Sequence, residues 1–186
     1  MSVATVTPET FTMVMYDNGD IADAVDHVAA AVGIDDDVRV EVDEANPLAR
    51  THLLSTDPLV IAVDGGAFED PRRPRQLSTD AVSVVVGRLL FEARDRRDPA
   101  FGEPPPEDAI PVPHRVAWDV YALGRLARQG YPTQRQRRLY NFRNRHGFTD
   151  VADAAFERLW TGEGLTWDQI VELSDRAAAS RPARPA

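Results

Sequence analysis

The stretch VRVEVD at residues 38–43 alternates strictly between valine and charged residues. Because neighbouring side chains of a strand point to opposite faces, this pattern predicts a β-strand with one buried and one open face. The apolar run Leu59–Val63 predicts a second, more fully buried strand, since Asp64, Gly65 and Gly66 follow it with turn chemistry. Residues 11–16 form a further strand candidate.

Two amphipathic helices surround these strands in the predicted first half of the chain. One is capped by Asp20 and ends at Gly33, and the other starts after Ser78 and ends before Pro99. The second half reads as helices over residues 116–129, 133–146, 149–160 and 166–178. Two of these helices start with the residue spacing of a capping box, in the pairs Thr133 with Gln136 and Thr166 with Gln169.

These patterns predict an α+β fold, in which a small mixed sheet with two helices is followed by a helical C-terminal bundle. We expect a single domain over residues 1–179, made of an α/β half (1–98), a proline-rich connector (99–113) and a helical half (114–179). Residues 180–186 read as a disordered tail, because they form a low-complexity stretch.

Composition excludes several classes of function. The 186 residues contain no cysteine, and all 21 basic residues are arginine. Disulfides, zinc ribbons and thiol chemistry are therefore excluded, as are Schiff-base catalysis and the lysine of a phosphate-binding loop. The four histidines lack metal-ligand spacing, so no metal and no cofactor is expected. The absence of a signal peptide and of a long apolar run predicts a cytoplasmic protein without a membrane partner.

A basic window is the least random feature of a chain whose formal net charge is −9. No acidic residue lies between Asp119 and Asp150, whereas seven arginines do. Arginine forks bind phosphates, and aromatic rings stack on unpaired bases. We therefore predict that residues 125–146 engage a protein, a nucleic acid or a phosphorylated ligand. The predicted contact residues are Arg135, Arg138, Tyr140, Arg143, Arg145 and His146.

An alternative interpretation of the same arginines is structural. They would pair with carboxylates of the same chain or of a second copy, since the stem of an arginine also covers apolar surface. A homo-oligomeric structural protein is one form of this alternative.

A second candidate site is the segment from Asp64 to Arg75, which reads as an exposed loop. Arg72, Arg73 and Arg75 could together grip an anion there. The sequence contains no complete catalytic motif, so it favours a non-enzymatic binding or regulatory protein. The alternative is a hydrolase or transferase with a site near residues 64–75.

Two resemblances accompany this reading. The order of helix, strands and helix over about residues 10–98 resembles that of minimal zincin metalloproteases. Their second helix carries the motif His-Glu-x-x-His, but residues 87–91 read Gly-Arg-Leu-Leu-Phe, so the resemblance implies a degenerate zincin-like fold without zinc or proteolysis. Residues 137–167 resemble an uncharacterised actinobacterial protein family, which implies no known activity.

Overall fold

The chain divides into two compact units, Met1–Arg97 and Asp98–Ala186, in a computed structural model that describes residues 3–181. The division falls within one residue of the predicted end of the α/β half. The membership of both units in a single domain stays a prediction. Residues 182–186 of the predicted tail lie outside the described residues.

The first unit contains a four-stranded mixed sheet, a short two-stranded hairpin and two helices. Its elements are β1 (Ala4–Thr7), α1 (Asn18–Val32), β2 (Val38–Asp43), β3 (Thr51–Thr56), β4 (Leu59–Asp64), β5 (Glu69–Asp70), β6 (Arg73–Leu77) and α2 (Thr79–Arg97). The four-stranded sheet has the order β1-β2-β4-β3, in which β1, β2 and β4 are parallel and β3 runs antiparallel to β4. The hairpin is formed by β5 and β6.

The predicted alternation determines which face of the sheet is covered. The three valines of β2 are buried, whereas Arg39 between them and Asp43 after them are exposed. In β4, Leu59, Ile61 and Val63 are buried in the same alternating manner. Helix α1 packs on α2 and β1, and α2 also contacts β3 and β4, so one sheet face carries the core.

The strand predicted at residues 11–16 is wrong. The carboxylate of Glu44 accepts hydrogen bonds from the backbone N–H groups of Thr12 (2.8 Å) and Met13 (2.6 Å). These groups are then not available for strand pairing, and the segment has only an isolated bridge between Met15 and Gln76. The hydrogen bond from Met13 also lowers the pKa of Glu44. The first strand is β1 instead.

The second unit is helical and buries a core of large aromatic and aliphatic side chains. Trp118 stacks on Phe101 at 5.4 Å between ring centroids, and Phe142 meets Phe156 at 5.8 Å. The predicted α+β fold, with the helices gathered in the second half, is confirmed. No helix within residues 3–181 combines the length and apolar content needed to cross a bilayer. The helices are α3 (Val112–Arg128), α4 (Arg135–His146), α5 (Asp150–Thr161) and α6 (Trp167–Ala179).

The two predicted capping boxes have different outcomes. The Thr166 hydroxyl accepts from the Gln169 N–H at 3.3 Å, and the Gln169 side chain accepts from the Thr166 N–H at 3.0 Å, so that box is confirmed. The box at Thr133 is wrong. Helix α4 starts two residues later, because Gln134 takes a left-handed conformation (φ 54°) as its N-cap.

Candidate functional site: the arginine-rich helix

Helix α4 has the sequence RQRRLYNFRNRH over 12 residues and contains neither glycine nor proline. Arginine, glutamine and leucine are strong helix formers, so the segment is helical by composition. It ends at Gly147, whose φ of 108° favours glycine, and the Gly147 N–H donates to the Arg143 carbonyl at 2.7 Å. The first turn has no acidic residue.

Two of the predicted contact arginines form ion pairs with helix α5. The guanidinium of Arg143 binds Asp153 in a bidentate manner, at 2.7 and 2.6 Å. This pairing lowers the pKa of Asp153 and raises that of Arg143. Arg135 pairs with Glu157 and also lies over the Phe156 ring, 5.5 Å from its centroid. Both arginines therefore help to dock α4 on α5.

Three further arginines of the basic window also contact their own unit. Arg128 donates to the carbonyls of Trp160 (2.6 Å) and Gly162 (2.9 Å), where α5 ends. Arg125 lies over the Tyr121 ring at 4.0 Å, and Arg138 donates to the Thr133 carbonyl at 3.2 Å. For these positions the intramolecular interpretation of the window has direct structural support.

One side of α4 faces away from the core, and all its side chains are exposed. This side is formed by residues that lie three or four positions from one another on the helix, with Arg145 at its border: Arg137, Tyr140, Asn141 and Asn144. We call these five residues the outward face of α4. Among residues 3–181, no carboxylate forms an ion pair with Arg137 or Arg145, and Arg137 contacts the Gln134 side chain at 3.4 Å.

His146, another predicted contact residue, is the last residue of α4, and its side chain is fully buried. Its Nδ1 lies 3.0 Å from the Phe142 carbonyl, which can only accept, so Nδ1 carries the proton. Its Nε2 then accepts from the Ser174 hydroxyl at 2.8 Å. Burial lowers the pKa of His146, with smaller contributions from His114 and Arg181, so the imidazole is neutral at pH 7. His146 contributes to the core rather than to the outward face.

The contact between Ser174 and His146 has the chemistry of a nucleophile beside a base, and sequence reasoning missed it. The two residues are 28 positions apart, on different helices. No sequence motif links the two residues; the sequence shows only that each lies in a helix with apolar residues at helical spacing. Both side chains are fully buried, so the arrangement holds α4 against α6 and offers no access to a substrate.

The segment from Asp64 to Arg75 contains the β5–β6 hairpin rather than an open loop. Arg73 pairs with Asp70 at 2.8 Å, so one of the three predicted anion-binding groups already has a carboxylate. The backbone N–H of Arg72 and the side chain of Arg73 lower the pKa of Asp70. Arg72 and Arg75 are exposed, and Arg75 takes a positive φ of 62°.

A cleft of about 430 Å³ lies where the parallel strands end. Thr7, Asp43 and Asp64 are the last residues of β1, β2 and β4, and all three line it. Glu41 and His52 add a carboxylate and an imidazole, and Arg50 pairs with Asp64 at 2.8 Å. No group of three or more histidine, aspartate or glutamate side chains within residues 3–181 is placed to hold a metal ion.

Comparison with known proteins yields no relative: the chain matches no protein-family model, no curated protein and no solved structure. The zincin-like and actinobacterial resemblances therefore stay predictions.

Proposed function

We propose that this chain is a non-enzymatic binding protein that engages an anionic partner through the outward face of α4. The observation that supports this most is the placement of Arg137 and Arg145, which are exposed while most other arginines of the window contact their own unit. A hydrolase or transferase near residues 64–75 and a homo-oligomeric structural protein stay predictions from the sequence.

The energetics of α4 favour a role for Arg137 in binding rather than in stabilising the helix. The amino end of a helix carries a partial positive charge, so an arginine in the first turn is unfavourable by about 0.3–1 kcal/mol. Arg135 offsets this cost through Glu157, whereas Arg137 forms no ion pair within residues 3–181 and hydrogen-bonds the neutral Gln134 amide. Helix stability therefore does not explain a cation at this position, whereas binding of an anion does.

A chain with a formal net charge of −9 would be expected to repel an anionic partner, but the negative charge is not evenly distributed along the sequence. Residues 1–97 hold 18 of the 30 carboxylates and 9 of the 21 arginines, which accounts for the whole net charge of −9. Residues 98–186 hold 12 of each. Within this balanced unit the outward face is locally basic, because the carboxylates of Asp153 and Glu157 pair with Arg143 and Arg135. Screening limits the influence of more distant charges to about 8–10 Å.

The test is the binding of fluorescently labelled heparin, a sulfated polyanion without bases, across a salt series. Wild-type protein is expected to bind at low salt. The double variant Arg137→Ala/Arg145→Ala is expected to lower the slope of log affinity against log salt by about two, because two counterion-releasing contacts are lost. Its melting temperature should stay within a few degrees of wild type, since the first-turn and last-turn effects on the helix dipole oppose each other.

The matched control is Arg158→Ala/Arg176→Ala, which removes the same charge from exposed positions on α5 and α6. It should bind heparin like wild type. Equal losses in both double variants, or no binding of wild-type protein at low salt, would overturn the proposed function.

A further inference from the structure

An exposed pair of aromatic rings lies beside the outward face of α4. Tyr140 is 58% exposed and Phe148 is 63% exposed. Their ring centroids are 5.9 Å apart at an interplanar angle of 69°. Phe148 directly follows Gly147, which ends the helix with a φ of 108° that favours glycine. Large rings with this exposure are more typical of a binding surface than of a plain solvated one.

Cationic and amide groups surround these rings. Cζ of Arg143 lies 6.0 Å from the centroid of Phe148, and Asp153 holds that guanidinium in place. Asn141 and Asn144 are exposed on the same side of the helix as Tyr140. The surface thus offers aromatic platforms, one guanidinium held by a carboxylate, and amides that can both donate and accept hydrogen bonds. The guanidinium groups of Arg137 and Arg145 lie alongside.

This combination matches the chemistry of unpaired nucleotides. Base–aromatic stacking needs a base whose face is free, which a base inside a duplex does not offer, and arginines alongside neutralise the phosphates. A helix of 12 residues is about 18 Å long, which is enough for several nucleotides of one strand. A sulfated or phosphorylated ligand without bases would use the arginines but leave the two rings without a role.

Building on the proposed function, we infer that the anionic partner is single-stranded nucleic acid. Bases stack on Tyr140 and Phe148, and phosphates meet Arg137 and Arg145. The amides of Asn141 and Asn144 are placed to contact base edges or sugar hydroxyls.

The experiment compares labelled twelve-nucleotide strands of oligo-uridine and oligo-thymidine with a strand of the same length and charge that lacks bases. Fluorescence anisotropy with the full chain gives the affinities. Wild-type protein should bind a base-bearing strand about 5- to 150-fold more tightly than the abasic strand, which is the measured range for one stacked base. Oligo-deoxyuridine, which differs from oligo-uridine only in the 2′-hydroxyl group, then assigns a preference to RNA or to DNA, and either result supports the inference.

Variants of Tyr140 locate the effect. Tyr140→Leu should lower the preference for bases, with Phe148 retaining the remainder, and Tyr140→Phe should keep it in full, because the phenyl ring still stacks. Equal binding of base-bearing and abasic strands by wild-type protein would overturn this inference while heparin binding through Arg137 and Arg145 still stood. A duplex that binds as tightly as either single strand would overturn it as well. Failure to bind heparin and every oligonucleotide at low salt would instead refute the proposed function itself.

Discussion

Replacing Gly124 with alanine is expected to destabilise the helical unit by about 3 kcal/mol or more, at the upper end of the range for overpacked cores. The added methyl group would lie 2.1 Å from the carbonyl oxygen of Trp160 and 2.8 Å from its carbonyl carbon. These are backbone atoms of α5, so no side-chain rotation relieves the clash, and α3 and α5 must move apart. The expected sign is opposite to the gain of about 1 kcal/mol that glycine-to-alanine changes bring in an unhindered helix.

Urea denaturation followed by tryptophan fluorescence measures this effect in the relevant unit, because Trp118, Trp160 and Trp167 all lie in it. The control is Gly19→Ala in α1, whose unfolding is followed by far-UV circular dichroism because the first unit contains no tryptophan. Its new methyl group meets only a side-chain oxygen, that of the N-cap residue Asp17, at 3.0 Å. That variant should change stability by no more than about 1 kcal/mol. A Gly124→Ala protein with an unchanged or higher urea midpoint would show that α3 and α5 do not approach each other as closely as described.

The variant Glu92→Ala is expected to destabilise the first unit by about 3–5 kcal/mol. Glu92 is 2% exposed, and its carboxylate lies 2.7 Å from Nη1 of Arg88. Arg88 also donates to the Thr51 hydroxyl of β3 at 2.6 Å, so the pair connects α2 to the edge of the sheet. Removal of the carboxylate leaves the guanidinium, whose side chain is 14% exposed, without that counter-charge.

The double variant Arg88→Met/Glu92→Leu should recover most of that loss, because apolar side chains of similar volume carry no desolvation penalty. Far-UV circular dichroism during urea denaturation gives the free energy of unfolding for the single and double variants. A double variant that loses as much stability as the single variants Arg88→Met and Glu92→Leu combined would contradict the coupling between the two charges.

Local patterns allowed the sequence to predict much of the fold. The alternation in β2 and the capping box at Thr166 depend on residues within one strand or one turn, and both predictions are confirmed. Strand β3 was missed because a register shift between Leu53 and Ser55 interrupts its alternation. The start of α4 was misplaced because the left-handed conformation of Gln134 is not visible in residue types.

The candidate site was predicted only in outline, because ion pairs between helices are not local. Arg135 and Arg143 find their carboxylates 22 and 10 residues away, and His146 finds Ser174 on another helix. The sequence therefore identified the basic window but could not separate arginines that dock α4 from those that face outward. Arg137 was not among the predicted contact residues, since its exposure follows from how α4 packs.

The most direct test of the outward face of α4 is to map where a polyanion binds. Nuclear magnetic resonance spectra of ¹⁵N-labelled protein, titrated with a short heparin fragment, report each backbone amide separately. We expect the largest shift changes within residues 136–148 and little change in residues 3–97. Changes concentrated at Arg72–Arg75 of the β5–β6 hairpin, or no changes at saturating heparin, would contradict the assignment of binding to α4.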